Sequence, residues 1–258
     1  MKTVILAGGY GTRLNEYTEL IPKPMVPIGG KPILWHIMKY YSSFGHNDFI
    51  ICLGYKGYVI KEFFFNYYKH NSNIKIDLKN DSLEILNSNV EPWSVSLIDT
   101  GNNVMTGGRL KKLIPYLEDN ESFFMTYGDG LANVDLSELS KFHQAHNGSV
   151  TMTAVSPPGR FGAIQASESG KVNKFLEKPE NHNHKINGGF FVIDTTALST
   201  IEGDLISWER EPLEQLTIEQ KLYNFNHNGF WQCMDTKRDK DKLEQIWESG
   251  QAPWKSWK

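Results

Sequence analysis

The chain has 258 residues, with 27 Lys and Arg against 30 Asp and Glu, a formal net charge of −3. Hydrophobic residues at 40% and charged residues at 22% exclude a wholly disordered or collagen-like chain. The small net charge excludes a globally basic surface for nucleic acid or an anionic membrane, so any cationic groups that matter must be local.

The opening run KTVILAGG reads as a buried strand ending in glycine, too short for a signal peptide or a membrane span. After a proline-containing loop, Ile33, Leu34, Ile37, Met38 and Tyr41 share one helical face, with Pro32 suited to the first turn and Gly45 to the stop. DFIICLG predicts a second strand and YVIKEFFFNYYKH a second helix, and this alternation implies βαβ units with parallel strands. Short alternating runs within 74–100 (IKIDL, SLEIL, VSLID) predict local β-structure or an extended loop system. GGRLKKLIPYL predicts a helix, SFFMTYGD a buried strand, VDLSELSKFHQAH a helix and VTMTAVS a strand. Beyond 157 the pattern turns β-rich and glycine-punctuated, then returns to helix at EPLEQLTIEQKL and DKDKLEQIWES. The expected fold class is α/β, one domain over 1–258 with a β-rich insertion. Cys52 and Cys233 sit among apolar residues, as reduced and partly buried thiols do.

LAGGYGTRLNEYTELIPKPM follows the first strand directly. Gly8, Gly9 and Gly11 let the backbone turn sharply and present N–H groups to an anion. In open α/β sheets, ligands bind at the C-terminal ends of strands, where this loop begins. Arg13 can fork onto phosphate oxygens, and Lys23 adds a compact charge. The spacing matches neither a P-loop nor the G-x-G-x-x-G dinucleotide fingerprint. Asp129 falls just past an apolar strand in SFFMTYGDG, and Asp235 follows 106 residues later in FWQCMDT. Two carboxylates meeting on a phosphate would suit Mg²⁺, which takes its shell from carboxylates, substrate phosphates and water.

GGYGTRL joined to PKPM, with Lys23 ten residues after Arg13, resembles the sugar-nucleotide pyrophosphorylases, the NDP-sugar class of nucleotidyltransferases. The resemblance implies a Rossmann-like mixed, mostly parallel sheet flanked by helices, with the β-rich insertion binding sugar. It assigns the nucleotide to about 1–130 and the sugar phosphate to about 131–258. Leu6, Ala7, Gly8, Gly9, Gly11 and Thr12 would cradle the triphosphate, while Arg13 and Lys23 stabilise the reacting phosphates. Thr106 and Gly107 would lie at the base, with Arg109 nearby and Gly128 beside the nucleotide. Asp129 and Asp235 would bind Mg²⁺. Gly162, Glu177, Lys178, Asn187 and Gly188 would meet the sugar phosphate.

The likeness runs through KPILWHIMK, GYKGYVIKE, EPWSVSLIDTG, PPGRFGAI, INGGFFV, WQCMDTKRDK and APWKSW, nearly the whole chain. It points to the branch joining CTP and α-D-glucose 1-phosphate to give CDP-glucose and pyrophosphate, for dideoxysugar and O-antigen (lipopolysaccharide) synthesis. A cytoplasmic homo-oligomer, a hexamer, is implied, with no nucleic-acid or membrane partner. The alternatives are thymidylyl or uridylyl transfer to the same sugar phosphate, or a non-catalytic regulatory paralogue.

A phosphate monoester is largely dianionic at neutral pH, so such a nucleophile needs no general base. Its cost is the approach of two polyanions, which Arg13, Lys23, Lys178 and Mg²⁺ would relieve. Other conspicuous residues carry bland expectations. His182 and His184 read as a solvated loop, His143 and His146 as helix surface, and EFFFNYYKH as core or subunit packing. Trp254 and Trp257 predict a C-terminal tail docked on its own subunit or a neighbour.

Overall fold

The computed structural model describes residues 1–157, 163–166, 172–176 and 185–257, with 15, 163–166 and 172–176 as backbone. Gly162, Glu177, Lys178, His182 and His184 lie outside the described residues. Seven strands form one sheet: β1 (Thr3–Leu6), β2 (Asp48–Leu53), β3 (Ser94–Asp99), β4 (Ser122–Tyr127), β5 (Val150–Val155), β6 (Ile186–Asp194) and β7 (Leu222–His227). Their spatial order is β7-β5-β6-β4-β1-β2-β3. All run parallel except β6, which is antiparallel to β4 and β5.

The central strands read as continuous apolar runs because the sheet is covered on both faces. Successive side chains alternate between two cores. Ile5, Ile51 and Phe124 pack toward the helix Ile33–Ser43 and Leu243 of the helix Lys237–Glu248. Val4, Ile50 and Met125 pack toward Leu110, Trp208, Leu213 and Leu216 on the opposite side. Among the described residues no helix is long and apolar enough to cross a membrane. Cys52 is buried and Cys233 half-buried, both as free thiols.

Several local expectations change. VSLID is the sheet edge strand β3, while Ser72–Asp77 and Ser82–Ser88 pair as a separate antiparallel hairpin. Strand β7 has no sequence forerunner: an edge strand facing solvent carries polar residues, and LYNFNH offers no apolar run. His143 is not on the helix surface. It is buried, with Nδ1 2.8 Å from Thr151 Oγ1 and Nε2 3.0 Å from Asp194 Oδ1. Positions 136, 139 and 143 form one stripe of the helix Leu136–Gln144, and that stripe faces the sheet. The aromatic run of the helix Gly57–His70 is only partly packed in this chain, since Phe65 remains 77% exposed. Trp254 is fully buried against His36, Trp247 and Phe230, so the C-terminal segment docks on its own subunit.

Candidate active site

A cleft of about 580 Å³ opens at the C-terminal ends of β1 and β4. Leu6, Ala7, Gly8 and Gly9 line it as the chain leaves β1, followed by Gly11, Thr12 and Arg13. Gly11 adopts φ +64°, a left-handed conformation that L side chains rarely take, and this lets the loop fold back over Lys23. Thr106 and Arg109 line the facing wall, with Gly128 and Asp129 beyond β4.

Arg109, expected near the base, ties backbone segments together. Its buried guanidinium donates to Gly8 O (2.9 Å), Leu53 O (3.0 Å), Gly101 O (2.8 Å) and Thr100 Oγ1 (2.6 Å). It thereby ties the glycine loop to the ends of β2 and β3. A Cβ at Gly8 would fall 2.2 Å from Arg109 Nη1, so this approach requires glycine. Gly107 is absent from the cleft lining and instead packs against Ile206 O and Trp208 N.

The charged cluster lies where the glycine loop meets Asp129. Lys23 sits on the short turn Lys23–Met25, and its side chain is 10% exposed. Its Nζ donates to Asp129 Oδ2 at 2.6 Å and to Asp235 Oδ1 at 2.7 Å. Arg13 Nη1 donates to Asp235 Oδ2 at 2.8 Å. Burial acts to lower the Lys23 pKa, but Asp129 and Asp235 outweigh it and hold the ammonium above its usual range. Burial, then the Asp235 and Asp129 carboxylates, push the neighbouring Cys233 thiol up to about 12.

The two aspartates meet because Gly130–Ala132 pairs antiparallel with Trp231–Cys233, and Met234 N donates to Asp129 O at 2.8 Å. Behind Asp235, a capping box starts the helix Lys237–Glu248. Thr236 Oγ1 accepts from Asp239 N, and Asp239 Oδ2 accepts from the Thr236 and Asp235 amides. The carboxylate segment is therefore fixed from both sides.

Asn187 and Gly188 lie on β6. Gly188 packs against Val155 and Thr153, and Asn187 Oδ1 accepts from Gly189 N at 2.8 Å. Neither lines the cleft itself. The sequence reading missed Tyr127, Pro24, Tyr10 and residues 102–105, all of which line it. Tyr127, between an apolar strand and Gly128, and Tyr10, between Gly9 and Gly11, stood inside motifs already singled out, so their position was available as a signal.

A glycine loop leaving a parallel strand, with cations and two carboxylates gathered beside it, defines a site of the kind that handles phosphates. The chain belongs to the nucleotidyl transferase family, whose model matches residues 2–248. It is 54% identical over 257 residues to glucose-1-phosphate cytidylyltransferase of Salmonella typhi, covering 100% of both chains. The fold is also that of HddC from Yersinia pseudotuberculosis, with TM-score 0.67 and 23% identity over 95% of this chain and 99% of that one. UDP-glucose pyrophosphorylase crystallised with UDP-glucose gives TM-score 0.67 at 17% identity, over 96% and 98% of the two chains.

Proposed function

We propose that this protein transfers the cytidylyl group of CTP to α-D-glucose 1-phosphate, giving CDP-glucose and pyrophosphate. The observation that carries the reaction type is the convergence of Arg13, Lys23, Asp129 and Asp235 at the mouth of the glycine loop. The choice of cytosine and glucose is supported by the full-length likeness to the Salmonella typhi enzyme. Thymidylyl or uridylyl transfer to the same sugar phosphate is not favoured by that likeness. A regulatory paralogue is disfavoured, because the described charged machinery is intact.

In the reaction, a phosphate oxygen of the sugar phosphate attacks the α-phosphorus, and pyrophosphate leaves in line. The glycine loop presents backbone N–H groups to the triphosphate, and Arg109 holds that loop in place through Gly8 O. Arg13 and Lys23 balance the charge of the two approaching anions, so the barrier falls mainly through positioning and electrostatics. Lys178, Glu177 and Gly162 are proposed, on the family resemblance, to bind the sugar phosphate beside Asn187 and Gly188.

Asp129 and Asp235 fit a Mg²⁺ site. Their oxygens converge on one cation, the Lys23 ammonium, at 2.6 and 2.7 Å, and hard carboxylate oxygens are the donors Mg²⁺ prefers. Bound there, Mg²⁺ would supply charge neutralisation at the phosphates.

We further assign residues about 1–130 to the nucleotide and about 131–258 to the sugar phosphate. The family resemblance supports a cytoplasmic homohexamer feeding dideoxysugar and O-antigen synthesis. Light scattering tests the hexamer, and a monomer at working concentration contradicts it. The reaction type is tested with CTP labelled at the α- or γ-phosphate. The α-label should enter the sugar nucleotide and the γ-label the pyrophosphate. Release of labelled orthophosphate alone would contradict the scheme.

A further inference from the structure

Residues 204–209 lie along the helix Thr106–Lys111. Met105 N donates to Asp204 O at 2.9 Å, Gly108 N to Ile206 O at 3.2 Å, and Trp208 N to Thr106 Oγ1 at 2.9 Å. Side chains at Gly107 or Gly108 would strike this segment, with Cβ atoms 2.7 Å from Ile206 O and 2.3 Å from Asp204 O. An ion pair between Lys112 and Asp204 at 2.8 Å and the fully buried Trp208 pin it further.

Glu209, the next residue, is exposed and does not itself line the cleft, but it is held against two residues that do. Its Oε2 accepts from Thr106 Oγ1 at 2.6 Å, and its Oε1 accepts from the Tyr127 hydroxyl. Thr106 and Tyr127 both line the cleft, and Tyr127 lies two residues before Asp129. The Tyr127 ring packs on Gly189, on the segment of β6 that carries the sugar-phosphate candidates. Glu209 therefore bridges the nucleotide wall and the sugar side.

The chemistry of this carboxylate narrows its role. Among the described residues no lysine or arginine nitrogen lies within 4.0 Å of it. An anion beside a polyphosphate site is repelled by phosphate and accepts only from O–H or N–H groups. Both present partners are hydroxyls, and a carboxylate with about four lone-pair sites has capacity left. We propose that Glu209 is a specificity-determining residue that accepts a hydrogen bond from a sugar hydroxyl of the bound substrates. This rests on the reading that those substrates are a nucleoside triphosphate and a sugar phosphate. The donor is a ribose hydroxyl or a hexose hydroxyl, which share the same chemistry.

The test compares wild type, Glu209→Ala and Glu209→Gln by pyrophosphate release. CTP is set against its 2′-deoxy and 3′-deoxy forms, and glucose 1-phosphate against its 2-, 3-, 4- and 6-deoxy forms. For one of these hydroxyls the wild type should lose at least about 10-fold in kcat/KM on the deoxy substrate. Glu209→Ala should show no such penalty, and Glu209→Gln, which keeps one carbonyl acceptor, part of it. The position that loses its penalty identifies ribose or hexose as the source. Deoxy penalties unchanged from wild type, whatever the overall activity, would overturn the inference. If Glu209→Ala fails to fold, Glu209→Gln decides by the same comparison. If the wild type uses another triphosphate instead of CTP, the substrate reading fails, and the matching deoxynucleotide still decides the role of Glu209.

Discussion

The Lys23 ammonium stands 2.6 Å from the Asp129 carboxylate, although the two residues are 106 positions apart. Asp235 lies 2.7 Å from the same nitrogen, so one buried cation holds two anions together. Removing it leaves the carboxylates facing each other and withdraws a positive charge from the reacting phosphates. Lys23→Ala should lower kcat by about 100-fold or more, the scale of losing an electrostatic contact in the transition state. Steady-state pyrophosphate release checks this, and near-normal turnover would remove Lys23 from the role.

The carboxylates carry a separate expectation. Asp129→Asn or Asp235→Asn removes one charged donor from a site that has two to offer. Each variant should need at least about 10-fold more Mg²⁺ for half-maximal activity, as expected when a charged ligand is lost. A Mg²⁺ titration at saturating substrates measures this, and an unchanged curve in both would place the metal elsewhere.

Arg109 holds the glycine loop through the backbone, and on the proposed function that is how it would act on the nucleotide. Its four shortest hydrogen bonds go to three carbonyls and one hydroxyl from three separate segments, and lysine cannot reproduce that fork. Arg109→Lys should raise the KM for CTP by about 10-fold, in proportion to about 1–2 kcal/mol of lost loop ordering. Thermal melting should shift modestly beside that. An unchanged KM for CTP would show that the loop needs no such tie.

His36 links the C-terminal tail to the core. Its Nε2 lies 2.8 Å from Ile28 O and its Nδ1 accepts from Trp254 Nε1 at 3.4 Å, the pattern of a neutral ring. Burial pushes its pKa from 6.5 down to about 4, only partly opposed by the Ile28 carbonyl. Between these values the unfolded chain binds more protons than the folded one, so stability falls as pH drops. The contribution is complete above pH 6.5 and lost by about pH 4, on the order of 3 kcal/mol. Urea unfolding at pH 7 and pH 4.5 should show a smaller acid loss in His36→Gln than in wild type. Equal losses would mean that His36 does not carry this sensitivity.

Trp254 is fully buried in the same cluster. Trp254→Ala should cost about 3–5 kcal/mol, as large-to-small changes at buried aromatic positions do. Denaturant midpoints measure it. A loss below 1 kcal/mol would mean that the tail adds little to the core.

Legibility followed the physics of each element. β1, β2 and β4 were readable because burial on both faces makes a parallel strand continuously apolar, as in TVIL and FIICL. β7 was not, since LYNFNH at a sheet edge is shaped by its neighbour's backbone and not by burial. Arg13, Lys23 and Asp129 were readable from local motifs at strand ends. The partnership of Asp129 with Asp235 came through the family resemblance and not from the residues themselves, because it depends on the pairing of Gly130–Ala132 with Trp231–Cys233 across the chain. His143 misled because a helical stripe continues with a polar ring once Thr151 and Asp194 supply its partners. Glu209 gave no sign, since its position follows from two glycines admitting a distant segment.

The measurement that bears most directly on the function is pyrophosphate release from glucose 1-phosphate and Mg²⁺ with CTP, UTP, dTTP, ATP and GTP supplied separately. Turnover with CTP should stand well above that with every other nucleotide, with CDP-glucose as the product. Preference for UTP or dTTP would contradict the cytidylyl assignment, and no release with any nucleotide would contradict catalysis itself.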